Sequence, residues 1–410
     1  MGRQARMAES AAAPRPLRVL FIHHCGAFSG ASRSLWELIS AFPASAVEPW
    51  VLAPTGRTLQ VFASAGIRCI PSNNLSIFDN TRYGYYRGLR WLILLRELAR
   101  LPGTYRCLRR ALGECPPIDL VHVNDITMLY AIAMLAKRLR VPVVVHVRGV
   151  QSRRQGWPGR LVTRVLERRA RSLIAIDETV KRSLPPSLMP RATVIHNGFQ
   201  PSVGDQEASV AQLPLVVAMV GNLIRAKGCR EFVEAADLCK KEKLRVRFVF
   251  VGAGAGAPPS WWARQLVRVG VAQSIEHELR DTVTRLGLED TVEFRPFTTD
   301  LATVYRSIQV ICFPSHLDAP GRPIFEAAFF AVPSIVAIAN PTADTFVDGE
   351  TGIRIDAGSA TEIVTAVRRL AQDPGERRRL GRNAQALARR NFDAGRNASA
   401  VLELYRRVLS

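Results

Sequence analysis

The segment from Phe313 to Phe329 combines glycine, cation and carboxylate in a way that suits a phosphorylated ligand. A predicted strand ends near Phe313, a loop carries Asp318, and Gly321-Arg-Pro323 opens a helix, since proline is tolerated in the first helical turn. The free amides of that turn can hold a phosphate. Glu326 projects from the same turn, where its carboxylate can accept hydrogen bonds from two neighbouring ribose hydroxyls. The same glutamate could instead only complement the helix dipole, and spacing alone leaves both interpretations open.

A second segment, Val220 to Gly228, places Arg225 and Lys227 between a predicted strand and a predicted helix. Two cations beside a helix N-terminus can neutralise a diphosphate leaving group without a metal ion. A basic loop that only meets solvent is the alternative interpretation. The sequence contains no Asp-x-Asp motif, so a Mg²⁺ or Mn²⁺ clamp has no obvious ligands, and we expect neither a metal nor another cofactor.

The turn after the first predicted strand, His23 to Arg33, contains Gly26 and Gly30. Backbone amides and the helix dipole favour an anion at such a strand-to-helix turn. Many α/β proteins need glycines there merely to pack, so this turn predicts an anion site and a tight turn equally well.

Short apolar runs alternate with longer helical segments, which is typical of parallel sheets with crossover helices. Helices are predicted over Ser32–Ala41 and Met128–Leu139. The strands predicted in the first half are nearly all apolar, as expected when helices cover both faces of a sheet. They are Leu17–Ile22, Pro49–Ala53, Leu120–Val123, Val141–Val147 and Ser172–Ile176.

The pattern restarts after a polar, Gly- and Pro-containing linker. The second set of predicted strands is Leu215–Val220, Val246–Val251, Val292–Phe294, Val310–Phe313 and Ser334–Ala337. A capping box at Ser359 and Glu362 begins a later helix. The predicted organisation is α/β, with two tandem Rossmann-like doubly wound domains facing across a cleft. Its boundaries are a loose tail over 1–16, a domain over 17–197, a linker over 198–213, a domain over 214–390, and a helix over 391–410 that packs back toward the first domain.

Taken together, these segments resemble the retaining glycosyltransferases of family 4, which have the GT-B fold. The resemblance covers nearly the whole chain, from Val19 to about Leu409. It rests on the two-domain pattern, on Gly-x-Leu-x-x-x-Lys-Gly at 221–228, and on an acid followed eight positions later by Glu326. Further matches are Asp119-Leu-Val-His122, Val194-Ile-His-Asn-Gly198, and Thr351-Gly352 after Val347-Asp-Gly349.

The resemblance implies a role for each matching residue. Lys227 would contact the donor diphosphate, together with the Gly30 turn, and Glu326 would hold the ribose. Asp318 would bind hydroxyls of the transferred sugar, and His146 would lie over that sugar, although a buried histidine bonded to backbone is the commoner arrangement. The backbone amides expected near the phosphates are those of Gly321, Arg322 and Ile324.

Three features depart from the family pattern. The first acid of the pair is Asp318 rather than the usual glutamate, which leaves the sugar preference open. Asn222 stands where the family usually has arginine, so Arg225 is left to supply the second cation. Residues 256–277, with Trp261 and Trp262, are interpreted as an insertion.

Charge and composition limit the partners. The 56 Lys and Arg exceed the 35 Asp and Glu, giving a net charge of +21, which indicates a polyanionic partner such as phosphorylated substrate, anionic membrane or nucleic acid. No nucleic-acid recognition motif is present, so a basic nucleic-acid-binding protein is only the alternative; a nucleotide-sugar epimerase or a non-catalytic paralogue of the same fold is another. The seven cysteines are scattered, which favours reduced thiols and a cytoplasmic protein.

Two Arg-rich, partly apolar stretches, Tyr83–Arg110 and Arg153–Arg171, suggest where the acceptor is met. Such segments can rest on the anionic inner face of the cytoplasmic membrane, and ordinary core packing with a charged exterior is equally compatible with them. No apolar run is long enough to span a bilayer. The sequence therefore predicts transfer from a nucleotide-diphosphate sugar to a glycan or lipid-linked acceptor in polysaccharide biosynthesis, with at most peripheral membrane contact.

Overall fold

The fold is taken from a computed structural model of the 410-residue chain. It describes residues 15–72, 75–79, 91–138, 141–152, 156–201, 214–253, 275–317 and 321–410. Several predictions fall outside these residues: Asp318, most of the 1–16 tail and of the 198–213 linker, nearly all of the 256–277 insertion, and parts of both Arg-rich stretches.

The first domain is built on a seven-stranded parallel sheet. Its strand order is β3-β2-β1-β4-β5-β6-β7. The strands are β1 Leu17–Ile22, β2 Val47–Pro54, β3 Arg68–Ser72, β4 Leu120–Val123, β5 Val143–Val147, β6 Ser172–Ala175 and β7 Ala192–Val194. The helices of this domain are Gly30–Ser40, Arg57–Ser64, Trp91–Ala99, Leu101–Glu114, Leu129–Arg138, Trp157–Arg169 and Glu178–Ser183.

The second domain repeats this architecture with a six-stranded parallel sheet in the order β10-β9-β8-β11-β12-β13. Its strands are β8 Leu215–Val220, β9 Val246–Ala253, β10 Val292–Pro296, β11 Val310–Phe313, β12 Ser334–Ala337 and β13 Gly352–Ile355. The helices that follow β8 in the chain are Cys229–Lys241, Glu276–Arg285, Leu301–Arg306, Arg322–Ala328, Ala360–Gln372, Pro374–Asn391 and Ala394–Leu409. The predicted pair of doubly wound domains is confirmed.

The predicted inner strands are present, whereas β3, β7 and β13 were not predicted. All three lie at the edge of a sheet and pair on one side only. An edge strand is covered less completely, so it does not need the continuous apolar sequence that identifies an inner strand. The sequence of β3, Arg-Cys-Ile-Pro-Ser, illustrates this, since Pro71 within it is tolerated only at an edge.

The predicted capping box at Ser359 is half formed. The Ser359 hydroxyl accepts a hydrogen bond from the Glu362 amide at 3.2 Å, as predicted. The Glu362 carboxylate does not return to Ser359, because its Oε2 accepts from the amide of Asp356 at 2.7 Å. One side chain therefore caps the helix and the other fixes the loop that leads into it.

The chain crosses between the domains at two adjacent places. The amide of Phe199 donates to the carbonyl of Phe392 at 2.8 Å, so the outgoing and returning segments run side by side. Gly198 allows this approach, because a Cβ there would lie 2.7 Å from the Cα of Ala394. Beyond the second crossing, helix Ala394–Leu409 packs into the core of the first domain. It contributes the buried side chains Ala398, Val401, Leu402, Leu404 and Tyr405.

Candidate functional site

The strand orders determine where a ligand can enter each domain. In the first sheet the order reverses between β1 and β4, and in the second between β8 and β11. Loops that leave the carboxyl ends of such neighbouring strands diverge and leave a crevice. The loop after β1 leads into Gly30, the first residue of helix Gly30–Ser40, and the loop after β8 contains Lys227. Both predicted anion-binding turns therefore lie at topological switch points.

The loop after β8 packs against the loop after β11. The carbonyl of Ala226 accepts hydrogen bonds from the Ser315 hydroxyl at 3.2 Å and from the His316 amide at 2.9 Å. Gly221 has a φ of +123°, and a Cβ there would lie 2.6 Å from the Nζ of Lys227. Glycine at 221 thus provides the space that the Lys227 ammonium group occupies.

The Lys227 ammonium is partly buried and has no hydrogen-bond or ion-pair partner among the described residues. Burial lowers its pKa, because the charged form loses hydration that no carboxylate replaces. A desolvated, unpaired cation at a helix entrance is a site prepared for an anion. Arg225 and Asn222 are exposed on the same loop, so the structure puts both beside Lys227 without fixing their side chains.

The helix Arg322–Ala328 begins at Gly321, and proline occupies its first turn as predicted. The amide of Ile324 donates to the carbonyl of Gly321 at 3.1 Å, and the Ile324 side chain lies in a small core with Phe313 and Phe346. Of the three amides expected to face phosphate, that of Ile324 is therefore already bonded within the helix in this structure.

Glu326 is 2% exposed and both of its carboxylate oxygens are engaged. Oε2 accepts from the Tyr305 hydroxyl at 2.7 Å, and Oε1 accepts from the Arg322 Nε at 2.8 Å. Burial raises the pKa of Tyr305 well above its usual value, and the neighbouring carboxylate raises it further. Glu326 therefore also supports the fold, because its removal would leave the buried Tyr305 hydroxyl and the Arg322 Nε without their acceptor.

Matching Arg–Glu pairs face each other across the cleft. Arg33 and Glu37 are four residues apart on helix Gly30–Ser40, with Nε and Oε1 3.4 Å apart, and Arg322 and Glu326 repeat that spacing on the opposite helix. Arg33 Nε also lies 3.8 Å from Glu326 Oε1. Burial raises the pKa of Glu37, which the two arginines partly offset. The four charges balance and hold the two helix entrances together.

Arg322 completes the contact between the domains. Its Nη1 donates to the Ser34 hydroxyl at 2.6 Å, and its Nη2 donates to the Gly198 carbonyl at 3.4 Å. A Cβ on Gly30 would lie 3.5 Å from the Cδ of Arg322. The cleft pocket that these residues line has a volume of about 180 Å³, smaller than a usual ligand pocket. The Arg322 side chain thus occupies part of the cleft between the two domains.

A buried chain of hydrogen bonds runs from helix Ala394–Leu409 to His146. The Tyr405 hydroxyl meets His122 Nδ1 at 2.5 Å, and His122 Nε2 meets His146 Nδ1 at 3.2 Å. Burial lowers the pKa of His122 to about 3 and that of His146 well below its usual value, so both rings are neutral. Arg148 Nη2 lies 3.4 Å from His146 Nδ1.

The guanidinium assigns the tautomers along this chain. Arginine can only donate, so the Nδ1 of His146 accepts and its ring proton resides on Nε2. His122 must then donate from Nε2 and accept the Tyr405 hydroxyl proton at Nδ1. The Nε2 of His146 is buried and has no hydrogen-bond partner among the residues that the structure describes. It is therefore an unused N–H donor at the carboxyl end of β5.

Arg148 is held in place by amide side chains at the end of the first sheet. It donates to Asn124 Oδ1 at 2.6 Å and to Asn197 Oδ1 at 2.7 Å. Burial lowers the pKa of Arg148 to about 9, although Asp125 raises it. The Asn124 amide in turn bonds His23 Nδ1 at 2.9 Å. The ends of β1, β4 and β5 are thus joined by one polar network.

A second group of polar contacts joins the domains beside the crossings. Asp344 Oδ2 accepts from His196 Nε2 at 2.8 Å and from the Glu178 amide at 3.0 Å. Burial raises the pKa of Asp344, but the hydrogen bonds outweigh it and the pKa falls to about 2. Nearby Asp177, an N-cap residue, has its pKa raised to about 6, mainly by burial.

The structure gathers the predicted residues into two groups. Gly30, Arg322 and Ile324 line the cleft pocket, whereas Asn222, Arg225 and Lys227 lie on the loop after β8. Asp318 lies outside the described residues. The sequence did not predict that His122, Tyr305 and Arg148 contact the predicted site residues. The signal for His122 is the repeated Val-His-Val at 121–123 and 145–147, which puts a histidine at the end of two paired strands.

Two parallel α/β domains that meet at their carboxyl-end crevices define the GT-B class of glycosyltransferases. Residues 205–387 match the family model described as Glycosyl transferases group 1, and residues 28–203 match that of Glycosyltransferase Family 4. The chain belongs to the family 4 glycosyltransferases.

Individual relatives are distant. The D-inositol 3-phosphate glycosyltransferase of Corynebacterium kroppenstedtii is 29% identical over 49% of this chain and 42% of its own length. The uncharacterized glycosyltransferase YqgM of Bacillus subtilis is 23% identical over 75% of this chain and 83% of its own. The structure of Anabaena Alr3699/HepE in complex with UDP-glucose has a TM-score of 0.73 at 20% identity, covering 95% of this chain and all of that one (100%). The chain thus spans less than half the length of the inositol-phosphate relative.

Proposed function

We propose that this protein transfers a sugar from a nucleoside-diphosphate sugar to an acceptor hydroxyl, with retention of configuration and without a metal ion. The observation that carries the proposal is the partly buried Lys227 ammonium, which lacks a carboxylate partner among the described residues and lies at a strand-order switch point. The diphosphate of a donor carries the negative charge that would pair with the Lys227 ammonium. That HepE is described in complex with UDP-glucose supports the same class of donor.

The proposed reaction follows from the charges around the cleft. The bond between the anomeric carbon and the diphosphate oxygen breaks while the acceptor oxygen bonds that carbon from the same face. The acceptor proton leaves with the departing diphosphate. Lys227 and Arg225 stabilise the charge that develops on the diphosphate, and preorganised cations of this kind act most strongly where water is excluded.

Three further groups position the donor. Glu326 exchanges its bond to Arg322 for the ribose hydroxyls when the nucleotide enters, which frees the Arg322 guanidinium to approach the phosphates. The Nε2–H of His146 donates to a hydroxyl of the transferred sugar, as a buried donor without a partner requires. Asp318 accepts from other hydroxyls of that sugar.

The acceptor side is proposed to meet an anionic membrane. Helix Trp91–Ala99 turns apolar side chains outward: Leu92 is 62% exposed and Leu95 is 61% exposed, whereas Glu97 is 1% exposed. Glu97 is held inside by the amide of Ile77 at 2.9 Å and by Arg100.

Exposed leucines flanked by arginines match the headgroup region of an anionic bilayer. Among the described residues no helix is long and apolar enough to cross a membrane. A lipid-linked glycan of polysaccharide biosynthesis suits this surface.

Metal independence and donor class are tested together by thermal denaturation of the full chain with a panel of nucleoside diphosphates, including UDP, in excess EDTA. We expect one of them to raise the Tm to the same extent with and without the chelator, since a ligand that binds only the folded state stabilises it. DNA of equal charge is the control for non-specific binding to a basic protein. Stabilisation that disappears in EDTA and returns with Mn²⁺ would overturn the metal-free proposal.

A further inference from the structure

A cavity of about 1060 Å³ opens in the first domain, separate from the cleft pocket. It lies at the carboxyl ends of β4, β5 and β6, since Ile126 follows β4, Gln151 follows β5 and Ser183 ends the helix after β6. Its outer wall is helix Trp157–Arg169. Ile126 is two residues beyond Asn124 and Gln151 is three beyond Arg148, so the cavity adjoins the polar network that borders the cleft.

The interior of the cavity is apolar. Leu166, Leu184, Leu188 and Ile126 are buried in its floor, and Leu161 is 48% exposed at its rim. Nine of its eighteen lining residues are hydrocarbon or thioether side chains. Leu161 leaves apolar surface in water beside this cavity, and a hydrocarbon chain lying in the cavity would cover it.

The rim of the same cavity is basic. Arg160, Arg164 and Arg182 are exposed, and none of them has an acidic partner among the described residues. Of the described residues that line the cavity, Glu167 is the one with a carboxylate. Arg160 and Arg164 are one helical turn apart, so both can reach the same anion.

A buried acceptor atom completes the site. Gln151 is 3% exposed, and its side-chain nitrogen donates to the Gly149 carbonyl at 2.7 Å. Its Oε1 is buried and has no hydrogen-bond partner within the described part of the chain. An unsatisfied buried carbonyl oxygen costs free energy, so Gln151 is a polar position at one end of the otherwise apolar wall.

We propose that this cavity binds an anionic amphiphile, a phosphate group carrying a long hydrocarbon chain, with the phosphate at the three arginines and the chain along the leucines. The inference rests on the proposed function, because such a molecule would be the lipid part of the sugar acceptor. A soluble phosphate ester would use the arginines and leave Leu161 exposed to water.

The test measures binding of monomeric dodecyl phosphate to the full chain. Titration calorimetry follows the binding, without vesicles and without any sugar nucleotide. We expect saturable binding at one site, and at least about tenfold weaker binding of the Arg160→Gln/Arg164→Gln variant and of Leu161→Gln. The three substituted side chains are exposed, so we expect both variants to fold normally. The matched control is Arg168→Gln, an exposed arginine on the same helix that does not line the cavity.

Two results would overturn the proposal. Inorganic phosphate that competes as strongly as dodecyl phosphate would show a site for soluble phosphate esters. Equal loss of affinity in Arg168→Gln and in the double variant would show only general attraction to a basic surface. Nucleoside diphosphate binding in EDTA is measured on the same variants and should be unchanged, so failure of the lipid site and failure of the donor site are distinguishable.

Discussion

The Nε2 of His122 and the Nδ1 of His146 lie 3.2 Å apart at the ends of two neighbouring strands. Because Arg148 can only donate to the shared acceptor, this contact fixes the direction in which the protons point from Tyr405 to His146. The Arg148 guanidinium thereby determines that His146 offers a proton, and not a lone pair, to the cleft.

We expect Tyr405→Phe to leave that direction in place. Arg148 still donates to His146 Nδ1 in the variant, whereas His122 Nδ1 loses the hydroxyl that donates to it. Long-range ¹⁵N–¹H NMR of the imidazoles should therefore find His146 protonated at Nε2 in both the wild type and the variant. Tyr130→Phe is the control. A wild-type His146 protonated at Nδ1 would contradict the assignment.

Glu326→Gln is expected to weaken both the fold and nucleoside diphosphate binding. The amide is a poorer acceptor for Tyr305 and Arg322, which should lower the free energy of unfolding by about 1–3 kcal/mol, and it loses the charge-assisted bonds to ribose. Tyr305→Phe separates the two effects, because it removes the buried bond and keeps the carboxylate. Calorimetry should find nucleotide affinity lost in the first variant and kept in the second. Equal affinity in both would reject the ribose role.

Lys227→Met should stabilise the free protein and abolish donor binding. The methionine side chain fills the space beside Gly221 without a desolvated charge, so we expect the free energy of unfolding to rise by about 1 kcal/mol in urea denaturation. Binding of the nucleoside diphosphate should fall by at least about tenfold. Arg225→Met, on the exposed part of the same loop, should change stability little. If Lys227→Met were less stable than the wild type and bound the nucleoside diphosphate with normal affinity, the ammonium would stabilise the fold and would not bind the donor.

Replacing the outward leucines should release the protein from anionic vesicles. The double change Leu92→Gln/Leu95→Gln removes two side chains that each contribute about 1.5–3 kcal/mol when fully buried, so flotation should show at least about tenfold weaker association. Leu286→Gln, an exposed leucine in the second domain, is the control. High salt should weaken the wild type as well. Vesicle binding unchanged by the double substitution would place the membrane contact elsewhere.

Asp177 should make stability depend on pH between about 4 and 7. Its pKa rises from 3.8 in the unfolded chain to about 6 in the fold, so the protonated form is favoured by folding. That contribution is complete below pH 3.8 and is lost as pH rises through 6, by roughly 1–3 kcal/mol. Asp177→Asn keeps an N-cap and should remove the decline. Denaturation midpoints across this range test it, with Asp373→Asn as the exposed N-cap control.

The sequence predicts the inner strands well because burial on both faces demands continuous apolar runs. Leu17–Ile22, Leu120–Val123 and Leu215–Val220 have the predicted bounds for that reason. The short strand Ala192–Val194 lies at an edge of its sheet, where a continuous apolar run is not needed, and it was not predicted. Gly30 and Arg322 were predicted as site residues from two separate segments of the sequence. They lie close together because the strand-order switch points of the two sheets face each other.

The remaining contacts depend on distances that a linear pattern does not contain. Nothing near Glu326 in the sequence indicates that Tyr305, twenty-one residues earlier, donates to its carboxylate. Likewise, Tyr405 and His122 are 283 residues apart, and only the return of the chain across the domains brings them together. Paired histidines at the ends of β4 and β5 could have been found from the repeated Val-His-Val.

The return of residues 394–409 to the first domain has a consequence for the order of folding during synthesis. Val19, Phe21 and Leu35 share a core with Val401 and Tyr405, so one face of the first domain stays uncovered until those residues leave the ribosome. The second sheet is contiguous in sequence, from 215 to 355, and can close earlier. Although domains generally fold from the N-terminus, the domain translated first is here the one completed last.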